Sequence, residues 1–370
     1  MNSAGANLQG SFSGATGTIR ETGFEWGTSA DDLSNTLTAS GSVTGTSGSF
    51  SAALGSRAAS TTYYYRAYVL EWVSGAAEAV YRYGSVRSFT TSAPSAYTVS
   101  GWLEMPAVTG SENFVGTFYG SGGETDANRN YSYNYSYDWY ASLWVAYPLS
   151  ASQTSGDATA ESWAYNPKVE SSRQVKVRSG DGSYPSMYGA DAYSRGHQCP
   201  AADRKSDNTM RAQTYYVTNQ TPQLQQKFNG SIWGKLEDAE RALVSGSSET
   251  IYVVTGPAYR KKGGSETVTY LTGASGKNAS PASLPVPNYY WKAFLRVKWS
   301  DDGKSITSAS TIGFWFEHKE YESTDSFTSY ACSVKQIESW TGFNLFTNLP
   351  DDLEETAENN TDWPTFQRFK

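Results

Sequence analysis

Between Leu224 and Leu243 an apolar residue returns at every third or fourth position: Leu224, Phe228, Ile232, Leu236, Ala239 and Leu243, with Lys, Asp, Glu and Arg between them. That spacing predicts an amphipathic helix of several turns, whose apolar stripe needs a sheet or another helix to cover it. Strand-sized apolar runs at Ser142 to Tyr147, Ile251 to Pro257, Trp291 to Val297 and Thr311 to Phe316 supply the sheet. These runs do not alternate with helices in a βαβ rhythm, so the expected class is α+β, a mixed sheet with helices, rather than a doubly wound fold. From Gly23 to Thr91 the pattern is different. Short runs with period-two alternation, such as Phe24-Glu25-Trp26 and Tyr63 to Val69, are separated by Gly and Ser turns, which predicts a small all-β sandwich. Ser92 to Ala96 is the expected linker, dividing the chain into 1–97 and 98–370.

The 370 residues carry 29 basic and 36 acidic side chains, a net charge of −7, which argues against a polyanion held by whole-molecule electrostatics. The charge is uneven. No lysine precedes Lys168, residues 195–262 hold ten Lys or Arg against six Asp or Glu, and acids gather at Asp351, Asp352, Glu354, Glu355, Glu358 and Asp362. No run approaches the ~20 apolar residues of a membrane span. Residues 1–20 lack both the charged start and the apolar stretch of a secretion signal, so no targeting segment is expected in this chain. Two cysteines, Cys199 and Cys332, are too few for a disulfide scaffold or a Cys-based zinc site, and leave either one bridge or two free thiols.

Histidine is the side chain best suited to move protons near neutral pH, and there are only two. His318 follows an aromatic strand-like run and reads as a strand-end or partly buried histidine. His197 stands in Ser194-Arg195-Gly196-His197, where a strand would point Arg195 and His197 to one face. An Arg fixed beside a His calls for an anion, so the pair suggests a phosphate or carboxylate site; the alternative is a structural turn with a surface His. Asn229-Gly230 is a poor helix former inside the helical run. It marks either a β-turn or one continuous helix with a locally costly Asn, and the in-phase apolar repeat favours the helix. A continuous helix puts Asn229, Trp233 and Glu237 on one face, with Asn229 and Glu237 about 12 Å apart along the axis, too far for one small ion to bind both. Asn229 then suits a hard cation and Glu237 a water molecule. Mg²⁺ accepts so sparse a donor set, with Mn²⁺ or Ca²⁺ as alternatives.

Ser-Arg-Gly-His, Pro200-Ala201-Ala202-Asp203-Arg204, Tyr216-Val217-Thr218-Asn219-Gln220-Thr221-Pro222-Gln223, Phe228-Asn229, Trp233 and Leu236-Glu237 together resemble the DNA/RNA non-specific endonucleases of the ββα-metal (His-Me finger) class. The likeness continues through Val253 to Pro257, Val286 to Lys292 and Ser333 to Glu338. It implies that His197 is the general base, that Asn229 is the protein ligand of a Mg²⁺ ion, that Arg195 stabilises charge on the phosphoryl group, and that Glu237 orients metal-bound water. The partners implied are DNA and RNA without sequence specificity, and the products are 5′-phosphorylated oligonucleotides. Arg204, Arg211, Lys227 and Trp233 are the expected substrate contacts, with Lys235 and Arg260-Lys261-Lys262 as further phosphate candidates. Ser60 to Tyr68 and Ser88 to Thr91 resemble the last strands of fibronectin type III-like modules.

Two positions depart from the family pattern. Ser194 stands where its commonest motif has Asp, and its further upstream arginine has no secure match, Arg173 and Arg178 being the nearby candidates. The competing reading is a catalytically impaired nuclease fold that binds or adheres, with the Tyr-rich patch from Asn130 to Tyr137 as its ligand surface. A phosphodiesterase of small substrates would share the site residues without the basic surroundings. An unregulated nuclease would harm its host, so the expected location is extracytoplasmic: periplasmic, cell-surface or secreted. The sequence leaves the oligomeric state open.

Overall fold

The computed structural model describes residues 6–39, 44–55, 57, 61–91, 101–177 and 183–369. The expected linker at 92–96 and the candidate Arg178 lie outside them. The chain divides into two compact units, Met1–Ala96 and Tyr97–Lys370.

The first unit is all β. Strand β1 (Ala6–Ser13) pairs with β4 (Ser47–Leu54), while β3 (Asn35–Thr38), β2 (Thr18–Gly27) and β5 (Thr62–Trp72) form a second sheet. β6 (Val80–Tyr83) and β7 (Arg87–Thr90) pair with successive stretches of β5. Period-two alternation turns Phe50, Ala52 and Leu54 of β4 inward, where they pack with Leu8, Phe24 and Val69 from both sheets. The two layers share one small core.

The second unit is built on a seven-stranded sheet in the order β18 (Ala331–Cys332), β17 (Ile306–Glu317), β16 (Tyr289–Trp299), β13 (Thr250–Ala258), β10 (Ala141–Ser150), β9 (Arg129–Ser136), β8 (Phe114–Tyr119). With its helices the unit is α+β. Where a mixed sheet is expected, every pairing is antiparallel. Both faces are covered, which is why β13 and β16 read as near-continuous apolar runs. One face, carrying Val145, Tyr147, Ile251, Val253 and Phe294, packs against Phe228, Ile232, Trp233 and Leu236. The opposite face, with Trp144, Ala146, Val254 and Leu295, packs against Val334, Ile337 and Ala357.

One expectation is corrected here and one open alternative is decided. Tyr131, Tyr133 and Tyr135 of the Tyr-rich patch point into the first core and are at most 1 % exposed, so the patch is not a ligand surface. Cys199 and Cys332 are both free, because they sit on opposite faces of the sheet.

Candidate active site

A two-stranded ribbon carries the Arg-Gly-His sequence. β11 (Tyr193–His197) pairs antiparallel with β12 (Gln220–Leu224), with Arg195 opposite Pro222 and His197 opposite Gln220. Gly196 is required by packing: a Cβ there would lie 2.1 Å from Cδ of the fully buried Gln223. Buried Asn219 closes the far end, accepting from Cys199 N and donating to Cys199 O, both at 2.9 Å. At the other end His318 accepts from Leu224 N at 2.9 Å through Nε2 and meets Pro287 O at 2.9 Å through Nδ1. Both ring nitrogens are thereby used, and burial lowers the His318 pKa to about 4. This histidine is a tether for β12.

The chain then enters the predicted helix, but not as one regular element. Gln225–Trp233 is a wide π-type turn, broken at Ser231 (φ −129°, ψ −107°), and the regular helix starts only at Gly234–Val244. The poor helix propensity of Asn229-Gly230 is thus expressed as a bulge, a feature often found at functional sites. The axial spacing expected between Asn229 and Glu237 does not apply across it. β11, β12 and the helix Gly234–Val244 come in that order along the chain, with the short helix Asn208–Thr214 between the two strands.

The bulge presents Asn229 to the ribbon. Its Nδ2 donates to Ser194 Oγ at 2.9 Å, and Ser194 Oγ donates its single proton to Gln223 O at 3.2 Å. Because that proton is already committed, Ser194 can only accept from Asn229, which leaves the Asn229 amide oxygen free. Among the described residues no group of three His, Cys, Asp or Glu ligands occurs here, so a cation at this place would be held by that oxygen and by water. The donor set fits Mg²⁺, which keeps most of its water shell.

His197 lies between two aromatic rings, Trp163 at 5.0 Å and Tyr215 edge-on at 4.9 Å. Its Nε2 is buried without a hydrogen-bond partner. Burial, followed by the Arg211 charge, lowers its pKa to about 4, so the ring is neutral at physiological pH. The Arg195 guanidinium stacks on the same Trp163 ring at 5.0 Å, and burial lowers its proton affinity. One indole therefore braces both residues. Trp163, Tyr215 and the bonding role of Ser194 escape the sequence reading, since Ser162-Trp163-Ala164 forms no recognisable motif.

Glu237 opens the regular helix beside a buried ionic network. Burial raises its pKa to about 7, against the pull of Lys292. Lys292 pairs with Glu240 at 2.8 Å, both fully buried, and Glu240 accepts from Tyr147 Oη at 3.1 Å. Asp203 pairs with Arg241 at 2.9 Å.

Two expected substrate contacts, Arg204 and Trp233, are corrected, and the other basic candidates are placed beside protein partners. Arg204 is fully buried, donating to Asn130 Oδ1 and O at 2.6 and 2.7 Å, so it staples strands and touches no substrate. Trp233 is 1 % exposed and stacks on Phe228 in the core. Arg211 pairs with Glu161 and donates to Ala201 O at 2.8 Å. It stays next to His197, with its charge shared. Lys227 is exposed but faces Glu320 at 3.2 Å and Glu322 at 3.5 Å. Lys235 donates to Ser323 O and Asp325 O, and Lys261 lies 4.4 Å over the Trp340 ring.

The sequence profile of the DNA/RNA non-specific endonuclease family matches residues 109–352, a span that takes in the ribbon, the bulge and the helix. The chain belongs to that family. It is a nuclease, and therefore a hydrolase. A nuclease of Nostoc sp. is 29 % identical over 220 residues, covering 59 % of this chain and 72 % of the relative. The Serratia marcescens nuclease is 26 % identical over 216 residues, covering 58 % and 72 %. A mitochondrial nuclease of Schizosaccharomyces pombe is 28 % identical over 166 residues, covering 44 % of this nuclease and only 49 % of the relative. The family match lies within the second unit.

Proposed function

We propose that this nuclease is a Mg²⁺-dependent, sugar-non-specific endonuclease that hydrolyses DNA and RNA to 5′-phosphorylated oligonucleotides and acts outside the cytoplasm. The observation that carries the reading is the hydrogen bond from Asn229 Nδ2 to Ser194 Oγ, which ties the bulge to the strand that bears Arg195 and His197 and leaves the amide oxygen unspent. A bound Mg²⁺ would polarise the scissile phosphate and stabilise the departing 3′ oxygen.

The protein side chains do the rest. His197, neutral and short of a partner at buried Nε2, takes a proton from the attacking water through Nδ1. The water oxygen bonds phosphorus as the P–O3′ bond breaks, and the 3′ oxygen leaves with a proton from solvent. Arg195, fixed on Trp163, meets the negative charge of the phosphoryl group. Glu237, whose pKa burial raises to about 7, becomes an acceptor for ordered water once a metal cation adds its positive charge. Recognition through backbone phosphate alone would explain cleavage without sequence preference. The β-sandwich unit is read as a fibronectin type III-like module.

The test is release of acid-soluble nucleotide from plasmid DNA and from total RNA, with Mg²⁺ or with EDTA, for the chain and for His197→Ala. Metal-dependent loss of both polymers, reduced at least about a thousandfold by the substitution, is the expected result. No cleavage of either polymer with any divalent cation would sink the proposal.

A further inference from the structure

Three carboxylates meet on the face of the sheet opposite the ribbon. They come from the helix Val334–Thr341, which bears Glu338, and the helix Asp351–Ala357, which bears Glu354 and is closed by Glu358. One oxygen of each lies within 4.8 Å of the others. Glu358 is 3 % exposed, and its Oε1 is buried without a hydrogen-bond partner. Glu338 spends one oxygen on Leu345 N at 2.7 Å, which fixes its carboxylate. Lys335 is the nearby counter-charge, one positive group against three negative ones, with Asp351 adding to the field at Glu354.

A buried carboxylate oxygen left unpaired beside two others is unfavourable, because it loses water and gains like charge. Burial and then neighbouring carboxylates hold Glu354 and Glu358 above the usual range, in keeping with that cost. A hard cation removes both penalties together. Ca²⁺ takes six to eight oxygen ligands at about 2.4 Å in flexible geometry, so three carboxylates within ~4.8 Å of one another can share it, whereas Mg²⁺ usually binds through one or two carboxylates and keeps several waters. Half-buried Glu338 and Glu354 leave the outer side open for water to complete the shell.

We propose that Glu338, Glu354 and Glu358 form a structural Ca²⁺ site, distinct from the place served by Asn229, that ties these two helices together over the sheet. The proposal is independent of the catalytic reading. Its test uses the full chain stripped with EDTA and dialysed, with CaCl₂ alone as probe, followed by isothermal titration calorimetry and thermal unfolding. Asn229→Ala should still bind one Ca²⁺ and gain several degrees in Tm, while Glu358→Gln should lose at least about tenfold in affinity together with most of the Tm gain. Glu354→Gln, at a half-buried position, gives the same reading if Glu358→Gln does not fold. Three results overturn the site: no Ca²⁺ response in Asn229→Ala, an equal response in the glutamine variants, or a glutamine variant that is more stable than the Ca²⁺-insensitive parent chain, which would mean a shared proton.

Discussion

Ser194 has one proton, and Gln223 O takes it, so the Asn229 amide is oriented by a lone pair. Ser194→Ala should release that amide and weaken activation by Mg²⁺ about 10- to 100-fold with little change in stability, read as the metal concentration for half-maximal cleavage. Ser194→Asp should keep the acceptor and retain activation. Trp163 braces Arg195 and His197 at once. Trp163→Leu should lower kcat/KM by about tenfold, in line with ~0.5–2 kcal/mol for a cation–π contact plus a loosened imidazole, with unfolding curves as the control. Arg195, His197 and Asn229 were readable in the sequence because each sits where local chemistry is unusual: a glycine between two functional residues, and Asn-Gly in a helical run. Trp163 was not, because its role comes from a contact across 34 residues of chain that no local pattern records.

The helical run over Leu224 to Leu243 illustrates how far periodicity reaches. It correctly places Phe228, Ile232 and Leu236 in the core, yet it cannot register a bulge, since inserting a wide turn preserves which residues are apolar. The regular helix beyond the bulge is fixed by the Lys292–Glu240 pair. Lys292→Met leaves a buried carboxylate without its partner and should cost about 3–5 kcal/mol in urea unfolding, whereas Lys292→Met with Glu240→Leu should recover most of that loss. His318 tethers β12 as a neutral ring. In the unfolded chain it takes a proton below pH 6.5, but in the folded protein only near pH 4, so its stabilisation is complete above pH 6.5 and is lost as the pH falls toward 4. The stability gap between the parent chain and His318→Asn should therefore shrink by about 1.4 kcal/mol per pH unit through that window, measured by chemical denaturation.

For the whole molecule, a net charge of −7, the burial of Arg204 and the pairing of Arg211, Lys227 and Arg241 with carboxylates reduce the positive charge that residues 195–262 offer a polyanion. Binding of nucleic acid by His197→Ala should fall only gently with salt, with a log–log slope of about −1 to −3 in contrast to a broad basic interface. A steep slope, beyond about −6, would show that an extended basic surface engages the substrate. Ten basic residues within 195–262 suggested such a surface from the sequence, but folding sends Arg204 into the core and sets acids from distant segments against two of the others, Glu161 against Arg211 and Glu320 and Glu322 against Lys227.

The sequence alone determined the α+β class, the all-β first segment and apolar positions of the core, and it singled out Arg195, His197 and Asn229 as candidates. All of these follow from short-range pattern: periodicity reports which face is buried, and broken propensity reports where a side chain serves something other than its own helix or strand. Tertiary structure alone decided which charges are free, that Trp233 and the tyrosines of β9 are core, that the two cysteines stay apart, and that Ser194 aims Asn229. Each of these depends on residues distant in sequence becoming neighbours, and burial and charge pairing are properties of neighbours in space.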